Sequence, residues 1–149
     1  MSKPFLPPRA QPEGSAPVGC IDELTPAEGW WVRAFRHWNG EARLLSEDMT
    51  GRFGAARAER ILSRFGELME IVSLYSRRPL AIQRTDCGRL SSDEAVLALL
   101  CTTATHGARE DAMMIACLMV RPDVAPIAVS LAQGLGLEVE RALYARNLS

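Results

Sequence analysis

Residues 95–101 read AVLALLC and residues 112–120 read AMMIACLMV, and these two stretches decide the fold. Each is bounded by helix start and stop signals. Ser91-Ser92-Asp93-Glu94 forms a capping box before the first, and His106-Gly107 closes it. Glu110 and Asp111 fall in the first turn of the second, where the helix dipole favours acids, and Arg121-Pro122 ends it. The reading predicts helices over about 95–105 and 112–120 that are apolar on nearly every side. A helix without a polar face belongs inside, surrounded by others. Both are therefore expected at the centre of the domain, where each buried Leu, Met or Ile contributes roughly 1.5–3 kcal/mol. Neither is a membrane span, because the longest apolar run has nine residues and a bilayer needs about 20.

Outward from that pair the chain remains helical. Upstream, residues 79–90 (PLAIQRTDCGRL) form a linker with a turn at Asp86-Cys87-Gly88. Before it, Ala58, Ile61, Leu62, Phe65, Leu68, Met69, Val72 and Tyr75 share one stripe of helical period, predicting a long helix over 54–76. Ile71 and Leu74 sit on its polar side near the end, which predicts that this end is covered on more than one face. A short helix from Glu41 to about Met49 precedes it, ended by Thr50-Gly51. The first helix opens with the capping box Thr25-Pro26-Ala27-Glu28 and runs to about Trp38, with Asn39-Gly40 as its stop. Trp31, Phe35 and Trp38 form its apolar face, and Trp30 points about 100° away. Downstream, Asp123 is read as the cap of a helix to Gln133. Gly134-Leu135-Gly136 is read as a break, and a last helix covers 137–146.

The fold expected is all-α: a compact helical bundle of five to seven helices in a single domain, residues 25–149. Residues 1–24 hold five of the nine prolines and are expected as an extended, flexible Pro-rich N-terminal tail. No strand-like alternation stands out. The length of 149 residues suits one domain, and 48% hydrophobic with 23% charged residues is a globular composition. The first 25 residues lack the apolar core of a secretory signal, so the expected location is cytoplasmic.

The residues offer little chemistry. There is no C-x-x-C, H-x-x-x-H, H-E-x-x-H or Walker sequence, and Gly134-Leu135-Gly136 lacks the third glycine and the preceding strand of a dinucleotide loop. The best metal set is Cys87, Cys101, His106 and Cys117, whose spacing is irregular. Cys87 lies between Arg84 and Arg89, which favour a thiolate and so a redox-sensing role. His106 doubles as a helix-end residue. The expectation is a non-enzyme with no cofactor and no bound metal.

Two binding readings remain. Three tryptophans within nine residues (Trp30, Trp31, Trp38), together with Ile71 and Leu74, suggest an interface for a protein partner or a second copy. The proline-rich leader is also a docking type. The expected function is thus an adaptor, a regulator or a small subunit. The alternative is DNA binding by a helix-turn-helix across Asp93–Val120, or by Arg57, Arg60 and Arg64 on the long helix. Against it, residues 26–89 carry eleven Arg and eight acids, and residues 90–149 four Arg and seven acids, a weak dipole rather than a basic footprint.

Overall fold

The structure is a computed structural model and describes residues 17–148. Among them are six α-helices: α1 Pro26–Gly40, α2 Ala42–Phe53, α3 Ala55–Tyr75, α4 Ser92–Thr105, α5 Arg109–Met119 and α6 Ala125–Leu148. Two short strands, β1 Pro17–Cys20 and β2 Arg89–Ser91, pair antiparallel, and a 3-10 turn follows β1 at Ile21–Glu23. The leader expected over 1–24 lies outside the described residues up to position 16. Its last part is extended and attached, with Gly19 opposite Leu90 and Cys20 opposite Arg89. The ladder is irregular between Pro17 and Gly19, where proline brings no N–H.

The capping boxes form as the sequence implies. Thr25 Oγ1 accepts from the Glu28 amide (3.2 Å) while Glu28 Oε1 accepts from the Thr25 amide (3.0 Å). Ser91 and Glu94 repeat the exchange at the start of α4. α2 runs past the expected stop at Gly51, because Leu45, Met49 and Phe53 are spaced one turn apart and all three are buried. It ends instead at Gly54, whose φ of 87° needs a residue without Cβ.

α6 also corrects the reading. Gly134 and Gly136 do not break a helix; they lie inside one continuous helix. A Cβ on Gly136 would coincide with Thr105 Oγ1 and lie 2.8 Å from Thr105 Cβ, so this glycine lets α6 pass close to the end of α4. Glycine can mark a close approach as well as a turn, and the sequence does not distinguish the two.

α4 is the central helix, packed by α1, α5 and α6 with the small sheet at its start. Leu97, Ala98, Leu100, Cys101 and Ala104 are fully enclosed. α5 is not central. It packs on α4 and α6 through Ala112, Ala116 and Met119, while Met114 is 71% and Leu118 64% exposed. The expectation that both greasy helices are wrapped by the chain holds for α4 apart from Leu99, which is 46% exposed, and fails for α5.

Candidate functional site

Where the tryptophans go depends on the α1–α3 contact. Trp31 stacks on Phe35 and Phe65 (centroids 6.1 and 6.5 Å apart), and Trp38 sits 5.6 Å from Phe65. Trp31 is buried and belongs to the core, so it has no surface to give a partner. Trp38 is half-buried, with its ring edge over Gly66. Trp30 meets Trp31 edge to face at 5.0 Å and is half-buried between two clefts. Ile71 packs partly against the core, and Leu74 stands 68% exposed. The five residues therefore do not form one surface.

One of the two clefts beside Trp30 is an apolar groove of about 150 Å³ between α1, α4 and α6, whose walls include Trp31, Thr105, His106, Val139, Glu140 and Leu143. It brings His106 next to Trp30, a pairing the sequence did not suggest. Neither cysteine nor serine lines it, and the hydroxyls of Thr102 and Thr105 donate to the carbonyls of Leu99 and Cys101. A groove of that kind accepts a small apolar group, with His106 and Glu140 as its ionisable lining residues.

The densest polar cluster is structural in its geometry. Arg36 and Glu94 are both fully buried and meet in a forked pair, Nε to Oε2 at 2.7 Å and Nη2 to Oε1 at 3.0 Å. Arg36 also donates to the carbonyls of Cys87 (2.6 Å) and Arg89 (2.7 Å). Glu94 accepts in addition from the amides of Ser91 (3.0 Å) and Gln83 (2.9 Å). Asp93 takes the Arg78 guanidinium and the Ala81 amide, and Ser91 Oγ donates to the Ala81 carbonyl. Together these contacts join α1 to α4 and fasten the segment 78–91 between them. The sequence did give a signal for Arg36: it falls with Val32 and Phe35 in the apolar stripe of α1, where an arginine needs an internal partner. Glu94 was read only as a capping residue.

Among the described residues, no group of three or more His, Cys, Asp or Glu is arranged to hold a metal ion. The set Cys87, Cys101, His106 and Cys117 is thus not brought together. Burial pushes the Cys101 thiol far above its usual range, so it stays protonated. Cys87 is half-buried with its thiol 3.7 Å from the Arg89 carbonyl. Arg57, Arg60 and Arg64 are all exposed on α3. Arg60 bonds Glu138 at 2.8 Å, and its hydrogen bond holds that carboxyl below the ordinary range. Arg64 lies against Gly134. Two of the three arginines therefore help seat α6 on α3.

The remaining candidate is the outward side of the α4–α5–α6 layer. Met114 and Leu118 are one turn apart on α5, and Leu99 on α4 and Ile127 on α6 are also exposed. Arg109 at the start of α5 reaches Ser130, one turn beyond Ile127, so that face of α6 borders α5. At the other end, Ser76 pairs with Val120 and the Arg77 amide donates to the Met119 carbonyl. The last turn of α3, with Leu74 and Tyr75, is thereby held beside the end of α5. None of these side chains except Leu74 stood out in the sequence as surface. No helix among the described residues is long and apolar enough to cross a membrane. The fold and this face define a six-helix domain with an outward apolar helix, and comparison with known families, characterised proteins and solved structures finds no match.

Proposed function

We propose that this chain is a non-catalytic protein–protein interaction module that docks through the outward face of α5. One observation carries the reading: Met114 and Leu118, 71% and 64% exposed, lie on one side of a helix whose opposite side is already apolar and buried. A helix on the surface of a self-sufficient domain has a polar outer stripe. Contiguous exposed apolar surface is characteristic of association sites, and methionine adapts well to a partner's shape. The structural use of Arg36, Asp93 and Glu94, whose polar atoms are taken up by hydrogen bonds to α1, α4 and the linker, supports a non-catalytic role.

Hydroxyl-radical footprinting tests this. Met114 and Leu118 are expected to label much less in native lysate, where partners are at working concentration, than in dilute purified protein. Equal labelling in both would refute the reading.

A further inference from the structure

We propose that the cleft between α1 and α2 binds a small carboxylate carrying one flat apolar ring. One wall is the stripe of α1 from Trp30 through Arg33 to His37, and the other is the stripe of α2 from Leu45 through Asp48 to Arg52. Both repeat at i, i+3 and i+7, so each wall is one face of its helix. Only Glu41 separates the two helices, which is what brings the stripes together. Between them Ala34, Leu45 and Met49 are buried and make an apolar floor. Half-buried Trp30 adds an indole beside that floor.

The polar groups around the floor are not all used by the fold. Arg52 gives its Nε to Asp48 Oδ1 at 3.0 Å, and those two charges offset each other. Arg33 is exposed and pairs with no carboxylate among the described residues. Its guanidinium folds back over Gly29, with Nη1 3.2 Å from where a Cβ at that position would stand, so the missing side chain leaves room for it. His37 also lines the cleft, and its Nδ1 is buried with no hydrogen-bond partner, where a buried polar atom ordinarily has one.

These features select the ligand. With Asp48 offsetting Arg52, one positive charge is left over, that of Arg33, and it matches a monoanion. A phosphate dianion would meet the Asp48 carboxylate as well, which counts against it. Arginine is pre-organised for the forked geometry of a carboxylate. The floor calls for an apolar body on that anion, and the Trp30 indole favours a ring. A cleft of about 200 Å³ is smaller than the roughly 300–1,000 Å³ of drug-sized sites, so one ring is the fit. None of the lining residues belongs to α5, so this site and the docking reading succeed or fail separately.

Chemical-shift titration of the 15N-labelled full chain with phenylacetate, up to about 20 mM, is the test, read at the Trp30 indole N–H and the Arg33 Nε–H. Saturable shifts are expected at both, with an affinity in the millimolar range or tighter, since a one-ring ligand has few atoms to bind with. Acetate has the charge without the ring, 2-phenylethanol has the ring without the charge, and inorganic phosphate has the wrong charge; each should bind about tenfold or more weaker. Arg33→Met should weaken phenylacetate binding about tenfold while the circular dichroism stays helical, because Arg33 holds no other element in place. Arg33→Lys keeps the charge without the fork and should fall between the two. No saturation with phenylacetate, equal binding of 2-phenylethanol, tighter binding of phosphate, or indifference to Arg33→Met each overturns the proposal.

Discussion

Replacing Glu94 by Gln isolates the energetic role of the buried pair. Glutamine at this position is compatible with the capping box, so the Ser91 exchange is not the main loss. What changes is the charge and the number of acceptors. The carboxylate receives four N–H groups: Nε and Nη2 of Arg36 at 2.7 and 3.0 Å, and the amides of Ser91 and Gln83 at 3.0 and 2.9 Å. A glutamine side chain offers one oxygen, and its NH2 faces two donors whichever way it is turned. Arg36 keeps the Cys87 and Arg89 carbonyls and one bond to the glutamine oxygen, but loses its counter-charge in a site where its side chain is 1% exposed. Leaving one member of a buried pair unmatched costs about 3–5 kcal/mol. For a domain whose whole stability is about 5–15 kcal/mol, that is about a fifth or more. With a urea slope of about 2 kcal/mol per molar, the midpoint should fall by roughly 2 M, followed by tryptophan fluorescence. Replacing both partners with hydrophobic residues often rescues a buried pair, but here R36M/E94L would still strip the Gln83 and Ser91 amides and the Cys87 and Arg89 carbonyls of partners. The double variant is therefore expected to be no more stable than E94Q. A loss below about 1 kcal/mol for E94Q would show that the cluster is not the clamp described.

Two further outcomes follow from the packing. Gly136→Ala gains about 1 kcal/mol of helix propensity but drives a Cβ into Thr105, and overpacking of this kind costs about 1–3 kcal/mol; chemical denaturation should show a net loss that Thr105→Ala relieves, and a stabilised G136A would refute the close approach. Cys101 should resist thiol reagents until the chain unfolds, while exposed Cys20 reacts at once. Because burial raises the folded Cys101 value above 9.0, its contribution is intact below about pH 9 and is lost above it at about 1.4 kcal/mol per pH unit, as the unfolded chain sheds a proton that the folded one keeps. C101A should remove that slope.

Local signals carried most of the helices. Thr25 to Glu28 and Ser91 to Glu94 each place an acceptor and a donor three residues apart, and such exchanges form whatever the tertiary context. The stripe from Ala58 to Val72 likewise needs only one buried side, and its residues are buried apart from Leu62. What escaped were features set by two distant segments at once. Gly136 is small because Thr105 is there, not because a turn is needed. Arg36 and Glu94 are 58 residues apart and read separately as an odd charge and a cap. β1 and β2 have four and three residues, too few for alternation to register.

The two greasy stretches differ for a reason that bears on function. Composition says that a helix apolar all round is covered on all sides; it does not say by what. With six helices among the described residues of a chain this size, few positions are surrounded completely. α4 comes nearest to one, with α1, α5 and α6 about it and the small sheet at its start, and only Leu99 of its large apolar residues exposed. α5 has α4 and α6 beneath it and nothing among the described residues over Met114 and Leu118. The short connection from Met119 to Ala125 and the turn at Gly107 hold it there, because both of its ends are tied to elements on the same side. Among the described residues, nothing covers its second apolar side. The docking proposed above is what would bury that side, with Met114 and Leu118 at its centre.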